Sequence, residues 1–327
     1  MAFCALSLQA QPGTHDGSKA RFVGKYQLEG VVIQFALMEK DLVLIVPGAP
    51  VQELKPVGKN KFRSKAFKDQ LFTFTGKDEI TGVISKNTQG TSTGTKISNE
   101  VTILSTAMDS LLTLSKRTDH FIIRYHPADA SLADSIATGM EKKYQKILRD
   151  FSLKHMPLTT VRVYPDLLSF HKGINFLDAP DQVLATAFGK DDIRMVSQRN
   201  AGPEGWMLAY ASPHEFTHCV HLNVDYSPNN PRWLWEGVAQ HEADWFFNPK
   251  EIESIRQKNF PTLASLNNGM EYMLGFAIIE AIKDLWGFDT VVKLIKTRGD
   301  VKSVLKMDQK TFEAQVFDRI YLKYVQD

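Results

Sequence analysis

Between residues 22 and 97 the apolar positions fall in short runs, Tyr26 to Leu37, Leu42 to Val46, Lys61 to Ser64, Leu71 to Thr75 and Ile80 to Ser85. Pro47-Gly48, Gly76 and Gly90 stand at or between these runs. Short runs broken by Gly and Pro predict an antiparallel meander or small barrel over residues 18–98. Lys59, Lys61, Arg63 and Lys65 alternate with other residues there and read as the wet face of a strand. From 99 to 118 the period lengthens: Val101, Leu104, Met108, Leu111 and Leu112 recur near 3.6 and predict a linker helix. Beyond it the pattern is mixed. His120 to Tyr125 and Val161 to Tyr164 predict strands, Ser131 to Phe151 a Lys-rich amphipathic helix between them, and Ile193 to Val196 an edge strand. From Trp206 onward helical spacing dominates. Strands followed by helices predict an α+β domain over residues 119–327, preceded by the small antiparallel β domain.

Composition narrows the function classes. With 43% hydrophobic and 23% charged residues the chain falls among ordinary globular proteins. A net charge of +2 lacks the concentrated basic surface that a phosphate backbone needs, so no nucleic-acid partner is expected. No stretch reaches the length of a membrane-spanning helix. Two cysteines, Cys4 and Cys219, provide no disulfide framework. Residues 1–17 open with M-A-F-C-A-L-S-L-Q-A-Q, an apolar run ending in small residues. They read as the remnant of a secretory leader without its basic start, or as a disordered N-terminus. The first reading makes the protein secreted or periplasmic.

The chemistry concentrates at residues 214–218, H-E-F-T-H. On a helix, residues four apart lie one turn above each other on one face, so His214 and His218 can reach a single Zn²⁺. Glu215 sits one step round the helix and can take a proton from a water without being a ligand. Catalytic zinc uses three protein ligands and keeps a fourth position open. A histidine six positions after His218 would signal a metzincin, and Val224 stands there. Asn230-Pro231 is a helix-start signal, and W-L-W-E-G-V-A-Q follows it. Glu236 therefore falls in the first turns of a second helix, eighteen positions after His218, far enough for that helix to return beside the first.

H-E-F-T-H followed by W-L-W-E-G-V-A at Trp233 to Ala239 resembles the gluzincins, the peptidase MA-like zinc peptidases. D-H-F-I-I-R-Y at Asp119 to Tyr125, V-R-V-Y at Val161 to Tyr164 and E-Y-M-L-G-F-A at Glu271 to Ala277 extend the likeness over about residues 118–300. The resemblance implies a thermolysin-like zincin fold, Glu236 as third ligand, and hydrolysis of peptide bonds in a peptide or protein substrate. It also implies an oxyanion donor at Tyr272; His241 and Tyr226 compete with it for that role. It departs at His241-Glu242, where the group carries an aromatic residue. In the N-terminal region F-V-G-K-Y at Phe22 to Tyr26, P-G-A-P ending at Pro50, and F-T-F-T-G at Phe72 to Gly76 resemble the lipocalin-like accessory domain appended to β-lactamase-class serine hydrolases.

Other residues near the motif have plainer readings. His221 shares the stripe of His214 and His218, and is expected either to pack under the site or to face the substrate. Cys219 lies one step off that face and reads as a small apolar residue. Trp233, Trp235, Trp245, Phe246 and Phe247 read as core packing or as a substrate platform. Two functions follow: a zinc metallopeptidase with Glu215 as general base, or a non-catalytic peptide- or glycan-binding protein with a structural or vestigial zinc site.

Overall fold

The computed structural model describes residues 17–38, 40–65, 67, 69–87, 90–103, 105–202 and 208–326. Residues 1–16, which carry most of the possible leader and Cys4, lie outside them. The chain is mixed α and β and divides into two compact units, one of residues 1–108 and 171–178, the other of 109–170 and 179–327.

In the first unit a short helix α1 (Gly17–Ala20) leads into eight strands: β1 (Gly24–Leu28), β2 (Val31–Met38), β3 (Asp41–Ile45), β4 (Gln52–Gly58), β5 (Lys61–Ser64), β6 (Leu71–Thr75), β7 (Gly82–Asn87) and β8 (Gly90–Ser98). Each pairs antiparallel with the next, and β8 pairs back on β1, so the sheet closes into a barrel without an edge. The expected run from Tyr26 to Leu37 is two strands, because Glu29 and Gly30 take positive φ and turn the chain. In β5 the side chains alternate as the sequence predicts, Phe62 and Ser64 inward, Lys61 and Arg63 in water. Rings fill the interior. Phe74 lies 4.6 Å from Phe22, 4.8 Å from Phe35 and 5.7 Å from Phe62, and Tyr26 donates its hydroxyl hydrogen bond to the Phe22 carbonyl at 2.9 Å. These buried aromatics make a packed core.

The second unit begins where a linker helix is expected across 99–118. Helix α2 covers only Ser105–Asp109, and Leu114–Arg117 is instead strand β9, paired antiparallel with β10 (Phe121–Tyr125). The 3.6 period loses to tertiary context here, because the backbone of Leu114 to Arg117 finds its hydrogen bonds on the open side of β10. Helix α3 (Ala130–Asp150) crosses over to β11 (Thr159–Tyr164), parallel to β10. Helix α4 (Leu167–Gly173), strand β12 (Ala185–Ala187) and strand β13 (Asp192–Val196) follow. The sheet order is β12-β13-β11-β10-β9. Ile193 to Val196 is therefore an inner strand, and Ala185–Ala187, whose run is too short to show a pattern, forms the edge.

One face of this sheet is apolar. Phe121, Ile123, Val161, Val163, Ile193 and Met195 are buried, and Phe121 packs edge-on against Tyr144 of α3 at 5.8 Å. On the other face Arg124, Arg162 and Arg194 stand at one register position across β10, β11 and β13. Asp109 and Asp192 lie among them, and the Tyr164 hydroxyl donates to Asp109 at 2.6 Å.

The rest is helical: α5 (Leu208–Val224), α6 (Arg232–Ala243), α7 (Glu253–Arg256), α8 (Met270–Trp286), α9 (Phe288–Lys296), α10 (Val301–Leu305) and α11 (Gln309–Tyr324). No helix among the described residues is long and apolar enough to cross a membrane. Pro213 sits inside α5. Residues 211–222 of α5 and 233–243 of α6 are buried all round, the mark of helices in a core. Helices α6 and α8 touch through glycine: a Cβ on Gly275 would stand 2.8 Å from the Gly237 Cα.

Candidate metal centre

Helix α5 lies against the apolar face of the sheet, and Phe216 anchors it there, 5.0 Å from the Phe121 ring. With Phe216 turned to the sheet, His214 and His218 point together on the neighbouring side, their Nε2 atoms 3.0 Å apart. Helix α6 returns alongside α5 and brings in Glu236, whose Oε2 is 3.3 Å from Nε2 of His214 and 3.6 Å from Nε2 of His218. All three side chains are buried. Among the described residues they form a group that could hold one metal ion.

The spacing tests that fit. Bonds of 2.0–2.1 Å set at tetrahedral angles put ligand atoms about 3.3 Å from one another. The three observed separations average close to that value and scatter by a few tenths of an ångström. The Glu236 Oε2 is buried without a hydrogen-bond partner among the described residues. Such an orphaned acceptor is costly unless a cation meets it. Burial, together with the neighbouring His214 and Arg232, lowers the His218 pKa to about 4, so its ring is neutral at pH 7 and has a lone pair to offer. Desolvation works against the Glu236 charge, yet the His214 and His218 rings beside it hold it far below the usual carboxylate range. Two imidazoles and one carboxylate suit a divalent ion.

Each imidazole is oriented by stacking. His218 lies parallel to Trp235 at 4.1 Å with 6° between planes, while its Nδ1 finds no partner among the described residues. His221 packs 4.8 Å from the same indole, so the aromatic segment before Glu236 serves as packing for two histidines. His214 faces the rings of Trp245 at 5.6 Å and Tyr272 at 6.4 Å.

Glu215 is buried beside the group but lies outside the three-residue cluster. Burial pushes its carboxyl up to about 7, His214 counteracts this, Glu236 adds to it, and a hydrogen bond from the Ala187 N–H on edge strand β12 lowers it. Tyr272, from the first turn of α8, stands beside Glu236, and burial raises its hydroxyl well above the ordinary tyrosine value. The five residues picked out in the sequence thus share one place, while the oxyanion candidate His241 is engaged by two carboxylates. His241 is held between Glu242 at 3.0 Å and Glu280 at 2.8 Å, one carboxylate on each ring nitrogen. Tyr226 sits under the Lys190 ammonium at 5.5 Å. Cys219 is fully buried, and desolvation raises its thiol far above the ordinary value, which keeps it unreactive.

Sequence reading missed Arg232, Glu271 and the Ala187 backbone. Arg232 had a signal, the i,i+4 spacing to Glu236 in R-W-L-W-E. A backbone N–H on a three-residue strand has none.

The His241 clamp makes a pH prediction. Burial opposes the Glu280 charge, but hydrogen bonds from His241, Lys283 and Lys323 outweigh it and bring the carboxyl down to about 2 from 4.5. A depressed carboxylate adds stability above its unfolded pKa and loses it as pH falls toward the folded value. Urea midpoints of wild type and Glu280→Gln should therefore differ most above pH 5 and converge between about pH 4.5 and 2. A gap that stays constant with pH would show that the clamp is not ionic.

No protein-family model and no curated protein matches the chain.

Proposed function

We propose that the chain is a zinc-dependent peptidase with a thermolysin-like catalytic unit, in which His214, His218 and Glu236 hold the ion and Glu215 is the general base. The observation that carries the reading is the buried cluster of two Nε2 atoms and one Oε2 at tetrahedral ligand spacing, with a further buried carboxylate beside it. A zinc ion held there would polarise a carbonyl and acidify a water. The chain's own groups supply the rest. Glu215 receives the proton from the attacking water and passes it to the leaving amine. Tyr272 offers an O–H donor to the oxygen that becomes negative. Burial of all four acidic and basic side chains excludes bulk water and strengthens each of these interactions.

Metal analysis tests the first half of this reading. Protein purified without a chelating column should contain one zinc per chain. Chelator treatment should lower the melting temperature and zinc restore it, since free zinc at a hundred times its dissociation constant adds about 2.7 kcal/mol. A chain without metal whose melting temperature ignores zinc would defeat the proposal.

A further inference from the structure

Glu236 has two oxygens, and the structure treats them differently. Oε2 faces the two imidazoles at 3.3 and 3.6 Å. Oε1 faces Nη1 of Arg232 at 3.8 Å, one turn earlier on α6. That guanidinium is itself held. Its Nε donates to Oε1 of Glu271 at 2.7 Å and its Nη1 to Oδ1 of Asn229 at 3.2 Å. The buried Glu271 is fixed in turn, because its Oε2 accepts the Gly269 N–H at 2.9 Å. The Arg232 Cζ lies 5.8 Å from the centre of the Tyr272 ring, so the same cation borders the expected oxyanion donor. With 44% of its side chain exposed, Arg232 keeps part of its hydration while bringing positive charge to the site.

A carboxylate with both oxygens free can close on a metal as a chelate, and a second oxygen on the ion would occupy the position that a catalytic site must leave open. Resting on the metal reading above, we propose that Arg232 is the positioning residue for Glu236: it retains Oε1, so that Oε2 alone is presented to the metal and the fourth coordination position stays free. Glu271 and Asn229 are the buttress that points the guanidinium, and the first turn of α6 supplies the four-residue spacing. Arg232 needs no contact with substrate for this role.

The test compares the full-length wild type with Arg232→Gln, Arg232→Lys and Glu271→Gln, each titrated with zinc against a competing chelator and with cobalt(II) followed by visible absorption. Zinc affinity of Arg232→Gln should fall by about 10- to 100-fold, the usual loss when a ligand's partner is removed. Its cobalt bands should weaken as a second Glu236 oxygen adds a ligand to the tetrahedral set. Arg232→Lys, which keeps the charge and loses the fork, should fall between. Should Arg232→Gln fail to fold, Glu271→Gln removes the buttress and leaves the cation, and should reproduce the spectral change in part. Zinc affinity within twofold of wild type and an unchanged cobalt spectrum in the folded variants would overturn the proposal while leaving the metal reading intact. A wild-type chain that takes up neither ion overturns both.

Discussion

Glu215→Gln should lower peptide hydrolysis by about 10²- to 10⁴-fold, the range set by loss of a positioned general base, and leave the zinc content at one per chain. The two halves of this expectation come from one geometric fact, that Glu215 is buried beside the cluster without belonging to it. Glutamine has the same shape, and its amide oxygen can still accept the Ala187 N–H that steadies the carboxylate. Folding and metal binding therefore survive. What disappears is a group that can take up a proton and return it. Activity on a mixed peptide library, zinc content and melting temperature, measured on the same preparations, check the result. Undiminished cleavage would remove Glu215 from the chemistry. Loss of zinc would instead make it a ligand, and a wild type that cleaves nothing while binding zinc would leave a binding protein as the better reading.

The candidate metal site was legible because much of its geometry is local. Two histidines four apart on a helix must share a face whatever the surroundings, and the residues before Glu236 announce a helix start by themselves. The barrel was legible for a similar reason, since turn residues such as Gly76, at φ 117°, mark strand ends through their own backbone needs. The failures are all non-local. Residues 99–118 carry a helical period, yet Leu114 to Arg117 pair with β10, and only the partner strand decides that. Whether Ile193 to Val196 lies at an edge depends on Ala185–Ala187 joining outside it, and a three-residue strand leaves no periodicity to read. His241 was an alternative oxyanion candidate, but one of its two carboxylates, Glu280, comes from a helix about forty residues on. Arg232 lies between these cases. Its spacing to Glu236 is local, while its value comes from Glu271, which the sequence sets far away.

The same dependence on packing gives the second large effect, Gly275→Ala. A Cβ at Gly275 would stand 2.4 Å from the Gln240 Oε1, 2.8 Å from the Gly237 Cα and 3.3 Å from the Gly237 nitrogen. Gln240 cannot simply swing aside, because its Nε2 donates to the Tyr272 carbonyl at 2.7 Å, and the Gly237 atoms are backbone. Helices α6 and α8 must separate, and overpacking of this kind costs about 1–3 kcal/mol. For a unit of this size each kcal/mol lowers the melting temperature by about 2–4 °C. The consequence reaches the proposed metal site, since α6 carries Glu236 and α8 carries Tyr272 and Glu271, and the glycine crossing sets the distance between them. Zinc affinity should therefore fall together with stability. Gly139→Ala is the control. Gly139 lies within α3 with nothing inside 4 Å of its added Cβ, so the substitution should stabilise by about 0.5–1 kcal/mol and leave zinc binding alone. Calorimetric melting and zinc competition on the two variants separate a general glycine effect from a specific one. If Gly275→Ala melts no lower than wild type and binds zinc as tightly, the close approach of the two helices is not what sets the site.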